Sequence, residues 1–424
     1  MVDTKNYKKY IAIGSLMMPN SLVGSFRKKD DDSFTCDIIM NDAKVDEAGF
    51  ITCATTMFPD KAVIYITKDM LEALQQDDEI ALFDLYRELG HIECGHFDVS
   101  EDASEMTQEE SLEMMDRQDL EADAFAAEFV GKDEALCFAT GFTVNSGVIS
   151  QIVDRNDYVI CDDRDHASIV DGRRLSFATQ LKYKHNDMED LEKQLQKCEP
   201  DRVKLIVVDG VFSMVGDLCK LPEIVELKKK YNAAIMVDEA HGIGVFGKQG
   251  RGVCNHFGLT DDVDLIMGTF SKSLASIGGF IAADSSIINW LRHTARTYIF
   301  SASCTPAATA AAREALHIIQ QEPERLEALW NVTNYALKRF REEGFEIGDT
   351  ESPIIPLYVR DTDKTFMAVA KAFNEGVFIN PVIPPACAPQ DTLVRYALMA
   401  NHTREQVDES VIKLKKVFKE LGII

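Results

Sequence analysis

From about residue 130 onward, the chain alternates apolar runs with amphipathic segments. Four of the apolar runs have the character of strands buried on both faces, at 157–163, 203–210, 233–242 and 264–272. Between them lie segments such as MEDLEKQLQKC and LPEIVELKKKY, whose apolar residues recur with a helical period. Because parallel strands need crossover connections that are usually helices, this alternation predicts an α/β fold with a mostly parallel sheet.

The two ends of the chain have different patterns. After Pro306 the sequence is helical through AATAAAREALHIIQQ, and a smaller α+β region follows, with a strand at 353–359 and a final helix from Thr403. Residues 1 to about 75 are short mixed segments, in which AVIYITKDMLEAL predicts a strand at Ala62–Ile66 and a helix from Asp69. The predicted domains are an atypical N-terminal α+β region, a large domain and a small C-terminal domain, at 1–120, 121–310 and 311–424.

Composition limits the classes of partner. Among the 424 residues, 46% are hydrophobic and 8% aromatic, which excludes a disordered chain. A net charge of −25 argues against nucleic acid or an anionic membrane as the main partner. No uncharged apolar run approaches the ~18 residues of a transmembrane helix. Ten scattered cysteines without a CxxC pair, and an N-terminus without a signal-peptide core, predict a cytoplasmic protein with reduced thiols.

The most specific candidate chemistry lies in GTFSKSLASIGGF, residues 268–280. Lys272 follows an apolar strand and lies among small residues and hydroxyls. A lysine in that setting is typical of a Schiff-base lysine, with Thr269 and Ser271 as phosphate donors. Taken alone, the same lysine would fit an exposed turn equally well.

Other polar residues follow separate strands of the same predicted sheet. In VDEAHG, Asp238 comes directly after a buried strand and is suited to hold a pyridinium nitrogen protonated, while His241 could donate to a ring oxygen. His166 in DDRDHASIVDG could stack on a ring face. The N–H groups of Gly141 and Phe142 open a predicted helix and could bind phosphate. An isolated histidine is usually structural, but this combination favours a cofactor site.

These stretches resemble one family over residues from about 121 to 424. FATGFTVNSGVI, DHASIVDGRRLS, KHNDMEDLE, MVDEAHGIGVFGKQGRG, GTFSKSLASIGGF, FSASCTP and RYALMANHT are similar to motifs of the α-oxoamine synthases, which are fold-type I enzymes dependent on pyridoxal 5'-phosphate (PLP). KHNDMEDLE and LMANHT are most similar to the serine palmitoyltransferase-type members. The resemblance implies a large domain with a mostly parallel sheet, a smaller α+β C-terminal domain and a homodimer with shared active sites.

The resemblance also implies roles for individual residues. Lys272 would bind the cofactor covalently and remove the substrate's α-proton, and Asp238 would pair with the pyridine nitrogen. His166 would stack on the ring and orient the substrate, and Arg395 would bind the amino-acid carboxylate. The remaining implied cofactor contacts are His241, Ser213, Thr269, Ser271, Gly141 and Phe142, with Phe300 and Ser301 reaching the phosphate in the neighbouring subunit.

The implied reaction is a decarboxylating condensation of an amino acid with an acyl-CoA, which gives an α-amino ketone. The sequence departs from the family pattern in two places, of which the first bears on the substrates and the second is a small change. Residues 1–120 contain no glycine-rich loop of the GTGxxGSR kind, and Asp209 stands where family members usually carry glutamate. A PLP-fold aminotransferase and a catalytically silent homologue therefore stay open as alternatives.

The N-terminal third carries a second, weaker resemblance. Residues from about 60 to 125 include RELGH at 87–91, which is similar to the HExxH helix of gluzincin peptidases, with Glu121 or Asp119 as a third-ligand candidate. Arg87 replaces the first histidine, and a guanidinium does not ligate zinc. We therefore expect a degenerate peptidase-like region without a metal, and a metal-dependent peptidase or interaction module is the remaining alternative.

Overall fold

A computed structural model describes residues 21–28, 31–40, 53–58, 61–68, 70, 72 and 123–424. The chain forms two compact units, Met1–Met115 and Asp116–Ile424. Arg87, Glu88, His91, Asp119 and Glu121 lie outside the described residues, so the interpretation of RELGH as a degenerate zinc helix stays a prediction.

The first unit contains a four-stranded sheet of order β1-β2-β4-β3. Its strands are β1 Ser21–Lys28, β2 Asp31–Met40, β3 Cys53–Phe58 and β4 Lys61–Ile66. The strand predicted at Ala62–Ile66 is confirmed as β4, which pairs in parallel with β2. Val63, Ile64 and Ile66 of this strand are all buried. Because successive side chains point to opposite faces, the strand contributes buried residues on both of its faces.

A seven-stranded sheet organises the second unit, in the order β5-β11-β10-β9-β8-β6-β7. The strands are β5 Glu134–Phe138, β6 Tyr158–Asp162, β7 Thr179–Tyr183, β8 Lys204–Asp209, β9 Ala234–Asp238, β10 Leu265–Thr269 and β11 Gly279–Ala283. β11 runs antiparallel to both of its neighbours, and the other pairings are parallel. The predicted α/β fold with a mostly parallel sheet is confirmed.

Helices of the second unit cover the sheet and build the C-terminal part. A helical segment at 123–130 precedes β5. The further helices are α1 Gly141–Ile152, α2 Ala167–Leu175, α3 Met188–Leu195, α4 Leu221–Tyr231, α5 Val253–His256, α6 Ser285–Thr294, α7 Arg296–Ile299, α8 Pro306–Gln321, α9 Pro323–Glu342, α10 Thr362–Asn374 and α11 Arg404–Glu420. None of these described helices combines the length and apolar character that a membrane crossing requires.

Apolar layers form on both faces of the seven-stranded sheet. Along β8, Ile206 and Val208 belong to one apolar cluster and Leu205 and Val207 to the other, so successive side chains enter opposite cores. This explains why the strand is apolar at consecutive positions. Because both faces of the sheet are covered, polar chemistry is confined to the ends of its strands.

A third cluster forms around a smaller sheet of order β12-β14-β13. Its strands are β12 Ile354–Tyr358, β13 Asn380–Val382 and β14 Leu393–Ala397. Helices α9, α10 and α11 contribute residues to this cluster. The predicted strand at 353–359 and the final helix from Thr403 match β12 and α11, whose N-cap is Thr403. The division of the chain at residues 120 and 310 stays a prediction.

Candidate active site

Acidic and hydroxyl side chains collect at the carboxyl ends of the parallel strands. Asp162 ends β6, Asp209 ends β8, Asp238 ends β9 and Thr269 ends β10. All four residues are at least 96% buried. Because these strands are parallel neighbours, their last residues lie along one edge of the sheet, where open α/β sheets bind ligands.

Asp238 is held by two hydrogen bonds in a site that is almost closed to water. Its side chain is 4% exposed. Asn145 of α1 donates from Nδ2 to Asp238 Oδ2 over 2.7 Å, and the backbone N–H of Ala240 donates to Oδ1 over 2.9 Å. Both bonds stabilise the ionised carboxylate. Asn145 was not among the residues predicted from the sequence, since its partner lies 93 positions along the chain.

A hydrogen-bonded chain links Asp238 to His166. Asn145 also donates to Ser168 Oγ over 2.9 Å, and Ser168 Oγ lies 2.7 Å from His166 Nδ1. The backbone N–H of Ser168 donates to the same ring nitrogen. Nδ1 therefore accepts, and the neutral imidazole carries its hydrogen on Nε2. Withdrawal from water lowers the pKa of His166; the nearby Asp238 opposes this change and Lys272 reinforces it.

Asp209 fixes the backbone of His166 from the neighbouring strand. The N–H of His166 donates to Asp209 Oδ2 over 3.0 Å, and the N–H of Asp209 donates to Asp165 Oδ1 over 3.0 Å. Burial, followed by repulsion from Asp238, raises the pKa of Asp209 well above its ordinary value. Asp209 stands where family members usually carry glutamate, and its shorter side chain still reaches the start of α2.

Lys272 lies in the turn after β10, with its side chain accessible to solvent. Partial desolvation lowers the pKa of its ammonium group, Arg395 acts in the same direction, and Asp238 and Asp209 oppose the change. Lys272 therefore shares an electrostatic environment with two strand-end carboxylates and with the small-sheet arginine. A lysine with a lowered pKa is the form that suits covalent and general-base chemistry.

His241 lies in the turn that follows β9. Burial lowers its pKa to about 2, with further contributions from Lys272, Arg395 and His166. The ring is therefore neutral near pH 7 and offers an N–H group rather than a charge. The strand predicted at 233–242 ends earlier, at Asp238, because Ala240 and Gly242 bond back to Asp238 and Glu239 and turn the chain.

A possible phosphate cradle lies where α1 meets the end of β10. Thr140 caps α1, and its hydroxyl accepts from Thr143 N–H. The first N–H groups of a helix, here those of Gly141 and Phe142, have no partner within the helix. A Cβ placed on Gly141 would lie 2.8 Å from Thr269 Oγ1, so only glycine permits this approach. The hydroxyls of Thr269 and Ser271 lie 3.0 Å apart beside it.

Arg395 and Ser213 are brought together across the two sheets of the second unit. Arg395 lies on β14, opposite Pro356 and Asn380. Its Nε donates to the backbone oxygen of Ser213 over 2.8 Å. This bond uses the inner nitrogen of the guanidinium group, and burial lowers the pKa of Arg395 from its ordinary value. The sequence did not predict this contact.

Phe300 and Ser301 lie on the surface beyond α7. Phe300 is 82% exposed, and Ser301 is also exposed. Helix α7 packs against α1, and Thr297 Oγ1 donates to Thr143 O over 2.7 Å. The two residues therefore lie on the side of the unit that carries α1. That they reach the cofactor phosphate of a second subunit stays a prediction.

Comparisons with known proteins agree with this geometry. The sequence profile described as aminotransferase class I and II matches residues 100–414. The chain belongs to this family. A serine palmitoyltransferase of Bacteroides thetaiotaomicron is 83% identical over 298 residues, which cover 70% of this chain and 76% of that protein. An 8-amino-7-oxononanoate synthase of Thermoanaerobacter pseudethanolicus is 42% identical over 299 residues, or 70% of this chain and 76% of that protein.

Solved structures of serine palmitoyltransferases share the fold of this chain. A serine palmitoyltransferase solved with PLP superposes with a TM-score of 0.71 at 30% identity and covers 80% of this chain and 84% of its own. The α-oxoamine synthase resemblance inferred from the motifs is confirmed, and the second unit has the fold-type I PLP transferase fold. The roles of the individual site residues in binding and catalysis stay predictions.

Proposed function

We propose that this family member is a PLP-dependent acyltransferase that joins L-serine to a long-chain acyl-CoA. The observation that carries the proposal is the 83% identity over 298 residues to a serine palmitoyltransferase. The geometry agrees with it, because buried Asp238 ends β9 and Lys272 lies in the turn after the neighbouring strand β10. An 8-amino-7-oxononanoate synthase matches only about half as many positions, at 42% identity. Transamination and a silent homologue have no comparable support.

The residues at the strand ends fit PLP. A buried carboxylate, Asp238, is available for the pyridine nitrogen, and Lys272 is available for the aldehyde. The close approach of Gly141 to Thr269 leaves a helix N-terminus and two hydroxyls for a phosphate. When bound, PLP supplies an electron sink that stabilises negative charge at the substrate's α carbon.

Each side chain then has a task that follows from its environment. The lowered pKa of Lys272 favours its role as the base that would take the proton from the α carbon. Asp238, fixed by Asn145, would pair with the pyridine nitrogen of PLP and keep it protonated. Neutral His241 would donate an N–H group to the ring oxygen of PLP, and His166, with its hydrogen on Nε2, would stack on the ring and orient the substrate.

The overall reaction balances without an added oxidant or reductant. A bond forms between the serine α carbon and the thioester carbonyl carbon, and the carbon–sulfur bond breaks to release coenzyme A. The bond to the carboxylate then breaks to release CO2, and a proton replaces it. Arg395 binds the carboxylate before that step, since a planar guanidinium matches a carboxylate.

We also propose that the active unit is a homodimer, supported by the exposed position of Phe300 and Ser301 beside α1. Mixing the subunit variants Lys272→Ala and Ser301→Trp, each inactive alone, should restore part of the activity if the sites are shared. Absence of any recovery in verified mixed dimers would contradict shared sites.

The function is tested by coenzyme A release with defined substrates. Serine, glycine and alanine are each paired with acyl-CoA chains from acetyl to palmitoyl, and thiol release is followed with the holoenzyme. We expect serine with palmitoyl-CoA to give the highest kcat/KM. Cofactor binding without any coenzyme A release would support a silent homologue, and amino transfer to a keto acid would support an aminotransferase.

A further inference from the structure

The loop after β8 is a compact hairpin that the proposed mechanism uses only at its tip. Within residues 210–219, called here the β8 loop, the N–H of Phe212 donates to Asp217 O over 3.0 Å. The N–H of Cys219 donates to Gly210 O over 3.1 Å. The base of the β8 loop is therefore Gly210 and Asp217–Cys219, and its tip lies between Ser213 and Gly216.

His185 fastens the base of the β8 loop to the sheet. Its Nδ1 lies 3.0 Å from Asp162 Oδ1, and its Nε2 lies 2.7 Å from Asp217 Oδ2. Its ring also contacts Phe212 edge to face, with centroids 4.4 Å apart. The side chain is 14% exposed, so both charge-assisted bonds are shielded from water. Only an imidazolium ring can donate to both carboxylates at once.

The electrostatics agree with that geometry. Burial of the ring lowers its pKa, but the hydrogen bonds to Asp162 and Asp217 outweigh this effect and raise the pKa of His185 to about 9. The imidazolium form therefore predominates near pH 7, and the two carboxylates are held on either side of one cation. Losing the cation would leave the buried Asp162 and the partly buried Asp217 without their shared partner.

The next residue adds four bonds to the same region, one of them from Asn186 Nδ2 to Asp217 Oδ2 over 3.4 Å. Asn186 adopts a left-handed backbone with φ of 52°. Its N–H donates to Asp162 Oδ2 over 2.9 Å, its Nδ2 donates to Leu218 O over 2.9 Å, and its Oδ1 accepts from Lys220 N–H over 3.3 Å. Asp187 then caps α3. The sequence HND thus serves to attach the β8 loop and start a helix.

The tip of the β8 loop meets the small sheet at two points. Ser213 O accepts from Arg395 Nε over 2.8 Å. Thr350 Oγ1 lies 3.1 Å from Gly216 O and 2.6 Å from Ile354 O on β12, so its single hydrogen is shared between these two acceptors. A side chain on Gly216 would collide with Ile354 O, and its φ is +73°. The tip is therefore packed closely against the small sheet.

We propose that His185 is a positioning residue for the substrate carboxylate: by joining Asp162 to Asp217 it fixes the β8 loop, whose Ser213 carbonyl orients the guanidinium of Arg395. The inner nitrogen of Arg395 is committed to Ser213, which leaves the two outer nitrogens for a carboxylate. The inference rests on the proposed function, in which Arg395 binds the amino-acid carboxylate.

The test compares two ligands that differ in the carboxylate. L-Serine and ethanolamine share an amine and a hydroxyl group, but ethanolamine has no carboxylate. Each is titrated into the holoenzyme, and its affinity is read from the absorbance of the bound cofactor rather than from turnover. The variants are His185→Gln and the milder Asp217→Asn, with His293→Gln, at an exposed histidine of α6, as the matched control.

In His185→Gln we expect serine affinity to fall about tenfold, the loss of roughly one well-placed charge-assisted bond, while ethanolamine affinity stays within about twofold. Asp217→Asn should change serine affinity in the same direction by less, because its amide oxygen still accepts one bond. His293→Gln should change neither affinity. In steady state, the KM for serine should rise more than kcat falls.

Two results would overturn the inference. One is an equal loss for serine and ethanolamine in both variants, which would indicate a general disturbance of the site. The other is an unchanged serine affinity in His185→Gln. If the wild type binds a different amino acid, that amino acid and its decarboxylated amine replace the pair. A wild type that binds no amino acid would overturn the proposed function, and this inference with it.

Discussion

Replacing Asp238 by asparagine changes one atom in a site where both carboxylate oxygens accept hydrogen bonds. Asn145 Nδ2 lies 2.7 Å from Oδ2, and the Ala240 N–H donates to Oδ1 over 2.9 Å. An asparagine has only one acceptor oxygen. Whichever way the amide is turned, its NH2 group faces one of these two donors, so one hydrogen bond is lost and two donors oppose each other.

Asp238→Asn should lower both the free energy of unfolding and the rate of catalysis. Because the site is 4% exposed, a donor left without an acceptor costs about 1–3 kcal/mol of unfolding free energy. For catalysis, a neutral amide does not hold a proton on the pyridine nitrogen. The expected loss is on the order of 100-fold or more in the rate of α-proton removal, or at least ~2.7 kcal/mol at 1.36 kcal/mol per decade.

The assay for Asp238→Asn is exchange of the serine α-proton with solvent deuterium, followed by NMR without acyl-CoA. Urea unfolding of the same sample reports stability. Asp171→Asn, at an exposed aspartate paired with Arg174, is the matched control and should change stability by less than about 0.5 kcal/mol. An exchange rate in Asp238→Asn equal to that of the wild type would refute the assignment of Asp238 to the cofactor ring.

Two further predictions follow from the remaining charged groups. Arg395→Lys should weaken serine binding about tenfold or more and leave cofactor affinity unchanged. The reason is that lysine keeps the charge but loses the planar guanidinium group and its bond to Ser213. Equal serine affinity of wild type and variant in a binding titration would contradict this prediction. The pKa of His185 in the folded state is about 9, against an ordinary value of ~6.5. The imidazolium form therefore contributes at most ~3 kcal/mol to the free energy of unfolding. This contribution is fully present below about pH 6.5 and is lost as pH rises through about 9. The difference in urea unfolding free energy between wild type and His185→Gln should therefore shrink between about pH 6 and pH 10, and a constant difference would disprove the linkage.

The fold of the second unit was readable from sequence because its strands are buried on both faces. A run of consecutive apolar residues such as Leu205–Val208 indicates a strand buried on both faces, and the neighbouring amphipathic segments contain no such run. Strand order and the antiparallel β11 were not predictable, since they depend on pairing between distant segments. The sheet of the first unit was mostly missed for a different reason: β1 and β2 mix polar and apolar residues without a continuous run.

The candidate site divides in the same way. Lys272, Asp238, His166 and His241 were predicted because each follows a strand or opens a helix, and reactive residue types at such positions are visible locally. Asn145 and the contact between Arg395 and Ser213 were missed, because the partners lie 93 and 182 positions apart. Residues that hold functional groups in place are defined by packing across elements, which spacing along the chain does not record.

The link between Lys272 and PLP tests the central claim most directly. The protein is purified, reduced with borohydride and digested, and the peptides are analysed by mass spectrometry for a phosphopyridoxyl group, with Lys272→Ala treated in parallel. We expect one adduct per chain, located on Lys272 and absent from the variant. A wild type that carries no adduct after incubation with PLP, or one that carries it on another lysine, would contradict the account.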